Sequence, residues 1–100
     1  MDFHHIEIPQ QKIEAFCRRH RIRRLALFGS ILRDDFTTQS DIDVLVEFES
    51  GARTGFAFFG MQEELSAMLG HPVDLNTPGF LSRHFRDEIM REARELYVAA

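Results

Sequence analysis

The sequence predicts a single α/β (α+β) domain, a small sheet of about three strands covered by helices. Three observations carry that prediction: short apolar runs bounded by glycine or aspartate, longer segments with apolar residues at three- and four-residue spacing, and alternation of the two kinds along the chain. One hundred residues suffice for one core and fall below the size at which chains usually divide, so one domain is expected over 1–100.

Each element has its own reason. Pro9 suits the first turn of a helix, and Ile13, Phe16, Cys17 and His20 recur on one face, which predicts an amphipathic helix over 9–20 with His20 at the border of the core. "LALF", 25–28, ended by Gly29, reads as a buried strand running into a turn. "SILRDDF" has room for a turn or two of helix, with Ser30 placed as N-cap. "DIDVLVEF", 41–48, begins with alternation and continues apolar, the pattern of a central strand. The glycine-containing segment after it carries Phe56, Phe58 and Phe59, which need cover from the core or from a partner's surface. Phe58, Met61, Leu65, Met68 and Leu69 predict a second helix, with Gly70 as its left-handed cap. "PVDLN" reads as a short strand. Thr77 and Pro78 then open a last helix with Leu81, Phe85, Ile89, Ala93 and Leu96 inward and Tyr97 near its end.

Composition narrows the function classes. The apolar fraction of 44% is ordinary for a globular domain, and no apolar run approaches the roughly 18 residues of a membrane span, so a soluble, cytoplasmic protein without a membrane partner is expected. Cys17 is the only cysteine, which excludes an intramolecular disulfide and fits a reducing compartment. Residues 1–24 carry six Lys/Arg against three Asp/Glu, and residues 25–100 six against thirteen. The basic excess lies in "RRHRIRR", 18–24. Without interleaved aromatics for base stacking, this run reads as a helix end and solvated turn and points away from nucleic acid.

The aspartates hold the candidate chemistry. Asp34, Asp35, Asp41 and Asp43 fall within ten residues beside the expected core, where an unpaired carboxylate is costly to bury. Asp34 and Asp35 read as solvated. In a strand, Asp41 and Asp43 project from one face about 6.6 Å apart along the backbone, a span on which two carboxylates can hold divalent cations. Magnesium suits such a site, because it takes hard oxygen ligands from one or two carboxylates, waters and substrate phosphates. Asp74, pointing away from Val73 and Leu75 on its own strand, is the candidate third carboxylate. Gly29 lets backbone N–H groups approach a phosphate, Ser30 adds a hydroxyl donor, and Arg33 lies within reach of the same anion. Taken singly, each piece is equally a turn, a solvated strand end or a surface arginine.

Together, "GSILRDDFTTQSDIDVLVEF" resembles the G-S-x-x-R…S-D-x-D pattern of the DNA polymerase beta-like nucleotidyltransferases, and among them the minimal nucleotidyltransferases. "LALFGS" before it and "GHPVDLNTPGFL" after it extend the likeness over almost the whole chain. The resemblance implies a mixed-sheet nucleotidyltransferase fold in which Gly29, Ser30, Arg33 and Ser40 line the nucleoside triphosphate. Asp41, Asp43 and Asp74 are then the catalytic, metal-holding carboxylates, with two Mg²⁺ ions and ATP as substrate. Leu32 and Asp34 depart from the alanine and glycine that the family often has there. The resemblance also implies a helical HEPN toxin as partner, silenced by transfer of AMP to one of its hydroxyls. Two other functions are compatible with the same domain: neutralising a partner by contact alone, and nucleotide transfer to a small molecule such as an antibiotic. His4 and His5 read as part of a mobile terminus, His71 as a surface turn, and Tyr97 as a packing residue.

Overall fold

In the computed structural model, residues 2–52, 55 and 57–100 are described. A short hairpin, β1 (Asp2–Phe3) and β2 (Ile6–Glu7), leads into α1 (Gln10–Arg19) and β3 (Ile22–Phe28). A 3-10 turn at Gly29–Leu32 and a loop connect to β4 (Ile42–Phe48), then α2 (Ala57–Leu69) and β5 (Val73–Asn76). A second 3-10 turn, Pro78–Phe80, precedes α3 (Arg86–Glu92) and β6 (Arg94–Val98). The sheet order is β5-β4-β3-β6; β3 is antiparallel to both β4 and β6, while β4 and β5 are parallel. This is the expected small mixed sheet, with four strands in place of about three. No described helix is long and apolar enough to cross a membrane.

Alternation along the strands divides the core between the two faces of the sheet. Leu25 and Leu27 of β3, Ile42, Val44 and Val46 of β4, and Val73 and Leu75 of β5 pack with Ile13, Phe16 and Cys17 of α1 and Met61, Leu65 and Leu69 of α2. The opposite face is thinner. There Ala26, Phe28 and Leu45 lie beneath Leu81, Ile89, Met90 and Ala93.

The largest departure from the sequence reading is at the C-terminus. The spacing of Leu81, Phe85, Ile89, Ala93 and Leu96 imitates one helix, yet Ile89 and Ala93 pack on the thin face whereas Leu96 is buried in the larger cluster. A single helix cannot serve both faces of a sheet. The chain therefore leaves the helix at Ala93 (φ −57°, ψ 138°) and continues as β6, which places Tyr97 opposite Leu25. Smaller corrections follow the same logic. Ser30 sits inside a 3-10 turn that begins directly at the end of β3, with no side-chain cap, and Thr77 likewise caps nothing. Pro9 stands one residue before α1.

His4 and His5 both have positive φ, 52° and 66°, and form the two-residue bend of the β1–β2 hairpin. The terminus is tied down, since His4 Nε2 lies 3.0 Å from the Ile31 carbonyl. Gly70, with φ 64°, closes α2 in the expected left-handed conformation. His20 does border the core, its ring tilted against Phe16 at 4.7 Å and its Nε2 meeting Glu64 at 3.2 Å. Burial, with Glu14 nearby, pushes the Cys17 thiol up to about 12, so it behaves as a small apolar side chain.

The basic run is largely consumed by ion pairs. Arg19 pairs with Glu64, Arg23 with Glu47 at 2.8 Å, and Arg24 with both Glu47 (3.0 Å) and Glu95 (2.8 Å). Of the phenylalanines left needing cover, Phe56 lies outside the described residues. Phe58 packs on the core, with Phe59 and Phe80 edge-on to it at 6.5 and 5.9 Å. Phe59 and Phe80 are themselves 69% exposed.

Candidate active site

The polar residues gather where three strands meet at one end of the sheet: the end of β3 and the starts of β4 and β5. Phe28 pairs with Asp43 across the antiparallel β3–β4 ladder, and Asp43 pairs with Asp74 across the parallel β4–β5 ladder. Because Ile42 and Val44 serve the larger cluster, Asp43 faces the thin side of the sheet, as do its register partners. Asp41 lies one residue before β4, where the ladder is continued by Ile42 N–H donating to the Pro72 carbonyl at 2.9 Å.

Burial and neighbouring charge act together on Asp43. The Asp43 carboxyl is pushed up to about 6, chiefly by burial, then by the charges of Asp74 and Asp41, while Arg33 pulls it back. One half-buried carboxylate thus feels two others and one guanidinium. Gly29 closes the site from the β3 side. A Cβ built on it would stand 2.3 Å from Asp43 Oδ2, and its φ is 75°, so glycine is required twice over, for conformation and for space.

The other expected residues divide. Ser30 is half-buried next to Gly29, and its carbonyl accepts from Arg33 N–H at 2.9 Å. Arg33 meets Asp35 at 3.3 Å in an exposed pair, Asp34 is exposed, and neither carboxylate is among the charges acting on Asp43. The Ser40 hydroxyl accepts from Thr37 N–H at 3.0 Å and lies 3.3 Å from Thr37 Oγ1; its visible work is bracing the loop before β4.

His71, read from sequence as a surface turn, is half-buried, and its Nε2 lies 2.5 Å from the Ser40 carbonyl. The Phe36 ring stands between His71 (5.3 Å) and His4 (5.0 Å). This stack ties the hairpin, the acidic loop and the entry to β5 together directly beside Asp41. The only sequence signal was His71 preceding Pro72, three residues before Asp74.

Magnesium fits the donors that are present. They are hard carboxylate oxygens, and the mutual repulsion felt by Asp43 is relieved by a cation. Among the described residues no three His, Cys, Asp or Glu side chains form a self-sufficient cage. Magnesium, which keeps waters and takes substrate phosphates as ligands, needs none.

The chain belongs to the nucleotidyltransferase domain family, which it matches over residues 10–97. It is 33% identical over 84 residues to a Methanocaldococcus jannaschii protein named "Putative protein adenylyltransferase", spanning 84% of this chain and 89% of the relative. It is 34% identical over 74 residues to the protein adenylyltransferase MntA of Thermococcus cleftensis, 74% of each chain. A solved "putative minimal nucleotidyltransferase" superposes with a TM-score of 0.69 at 31% identity, covering 84% of this chain and 85% of its own. A chain from the complex of tri-AMPylated Shewanella oneidensis HEPN toxin with MNT antitoxin superposes with a TM-score of 0.62 over 90% of this chain and 70% of its own; at 22% identity it speaks to the fold alone. The chain is an MntA-like nucleotidyltransferase.

Proposed function

We propose that this protein is a Mg²⁺-dependent adenylyltransferase that moves AMP from ATP onto a hydroxyl of a HEPN-type helical toxin, acting in the cytoplasm as its antitoxin. The observation that carries the reading is the side-by-side register of Asp43 and Asp74 with Gly29 packed against Asp43. The names of the relatives, protein adenylyltransferases, support the choice of a protein acceptor, and the HEPN-type partner is what the resemblance of the G-S-x-x-R…S-D-x-D stretch to minimal nucleotidyltransferases implies.

Gly29 and Ser30 form the phosphate-facing wall, with Arg33 supplying positive charge to the same anion and Ser40 holding the loop that carries Asp41. Asp41, Asp43 and Asp74 would hold Mg²⁺, which would supply charge neutralisation for the attacking oxygen and the departing diphosphate. The acceptor hydroxyl attacks the α-phosphorus, a new P–O bond forms, and the bond to the β-phosphate oxygen breaks. Asp74, exposed at its strand start, takes the hydroxyl proton.

Purified partner, labelled ATP and Mg²⁺ test the reading. Label is expected on the partner with the wild-type chain and not with Asp41→Asn, whose toxin neutralisation should fail in parallel. An unlabelled partner, with neutralisation intact in Asp41→Asn, would establish contact alone as the mechanism.

A further inference from the structure

β5 is an edge strand of the sheet, so alternate backbone N–H groups along it face away from β4 and need other partners. Two of them find side chains of α2: Val73 N–H donates to Ser66 Oγ at 3.0 Å, and Leu75 N–H donates to Gln62 Oε1 at 2.9 Å. The Ser66 hydroxyl gives its own hydrogen to the Gln62 carbonyl at 2.9 Å, so its oxygen is free to accept. Residues four apart on a helix share a face with a rise of about 6.0 Å, and donors two apart on a strand edge are about 6.6 Å apart, so the two acceptors repeat at the spacing of the two donors. We infer that Gln62 and Ser66 are positioning residues for the transfer reaction: standing in for a neighbouring strand, they hold the backbone on both sides of Asp74 and so fix where its carboxylate stands beside Asp43. The inference rests on the reading above, in which Asp74 takes the proton of the attacking hydroxyl.

The placement of the two bonds selects Asp74. It is the residue between the two held N–H groups, and its register partner across the inner edge of β5 is Asp43. Asp74 is exposed while Val73 and Leu75 are buried, so packing around its own side chain does not set its aim; the backbone does. β5 is four residues long, so few ladder bonds secure its inner edge and the outer pair carries weight. The charge of Asp74 is felt at Asp43, which ties the placement of one carboxylate to the state of the other. Misplacing a reacting group by about 1 Å can cost about 100-fold in rate, so a small drift of β5 is enough to register in transfer.

Gln62→Leu and Ser66→Ala each remove one acceptor, Ser66→Thr keeps the hydroxyl, and Ile13→Val loosens the same core from α1 without touching β5. Ser66→Ala puts a stronger helix former into α2, so it keeps the helix intact. Three readouts test the inference: hydrogen exchange at the Val73 and Leu75 amides of the metal-free protein, calorimetric affinity for ATP with Mg²⁺, and single-turnover AMP transfer to the HEPN-type partner. Each acceptor-free variant is expected to speed exchange at its own amide, to leave ATP affinity within about twofold, and to slow transfer about tenfold. Ser66→Thr and Ile13→Val should transfer within about threefold of wild type. Wild-type transfer in both acceptor-free variants, beside an inactive Asp74→Asn, overturns the inference and leaves the site standing. Slowing by Ile13→Val to the same extent, or by Ser66→Thr as much as by Ser66→Ala, also overturns it, by tracing the effect to the fold or to bulk at the position. An Asp74→Asn protein that transfers at the wild-type rate overturns the role of Asp74 itself, on which the inference rests.

Discussion

Gly29 and Asp43 occupy one another's space: the hydrogen on the glycine Cα that any side chain would replace points at Asp43 Oδ2, 2.3 Å from where a Cβ would be. The turn and the central carboxylate are therefore a single unit. Gly29→Ala must both strain a backbone at φ 75° and displace the carboxylate. A loss of roughly 1–3 kcal/mol in stability is expected, together with a fall in transfer of about 100-fold or more. Thermal denaturation and single-turnover transfer measure the two effects separately, and a variant with full activity would show that the carboxylate is free to move.

Asp43 lowers the stability of the fold when it ionises. Its folded carboxyl is raised from 3.8 to about 6, so its contribution is fully present below pH 3.8 and is lost as pH rises through 6. At pH 7.5 the metal-free protein carries the unrelieved charge. Asn at this position removes that charge, and the expected gain is about 1–2 kcal/mol after solvent screening, vanishing near pH 4. Urea unfolding of Asp43→Asn and wild type in chelator at both pH values checks the sign. A variant less stable than wild type at pH 7.5 contradicts it.

His71 is expected to position the site rather than react in it. With its bond to the Ser40 carbonyl gone, the loop before Asp41 loses its anchor to the β5 entry. His71→Ala is expected to lower the turnover number roughly tenfold with a smaller change in KM for ATP, and His71→Gln, which keeps a donor, should recover part of it. Steady-state kinetics of the two variants decide between this and a merely structural role, in which both would lose stability and activity together.

Arg24 is the keystone of the basic run. It is 17% exposed and bridges Glu47, itself 15% exposed, to Glu95 across three strands. Arg24→Ala leaves Glu47 half-buried with Arg23 alone and should cost about 1–3 kcal/mol, whereas Arg18→Ala on the exposed end of α1 should cost under about 0.5 kcal/mol. Denaturant titration distinguishes them. Binding of duplex or single-stranded nucleic acid at moderate salt is expected to be absent in both variants and in wild type.

The strands that form the site were legible because their signals are local. "LALF" ended by Gly29, and "DIDVLVEF" with its alternating start, each announce a strand, and the second announces the face that Asp43 takes, although Asp41, read as part of that strand, lies one residue before it. The C-terminal segment was not, since Leu96 fits a helical period as well as a strand's buried position, and only the two-faced sheet decides between them. The same limit hid the site's supports. That Asp74 lies beside Asp43, or that His71 reaches Ser40, depends on parallel pairing of β4 with β5, a non-local contact with no periodic trace in the chain. Phe85 misled for the converse reason, its inward spacing being that of a core residue although it is 58% exposed and belongs to neither core cluster.

The central claim is that Asp41, Asp43 and Asp74 act as one site while their neighbours in sequence, Asp34 and Asp35, do not. Single-turnover AMP transfer from labelled ATP, with Asp74→Asn compared against the Asp34→Asn, Asp35→Asn double variant, tests it most directly. Asp74→Asn should lose roughly 100-fold or more in rate and the double variant should stay within about threefold of wild type. An Asp74→Asn protein that transfers at the wild-type rate, or a double variant that fails as badly as it does, would contradict the account.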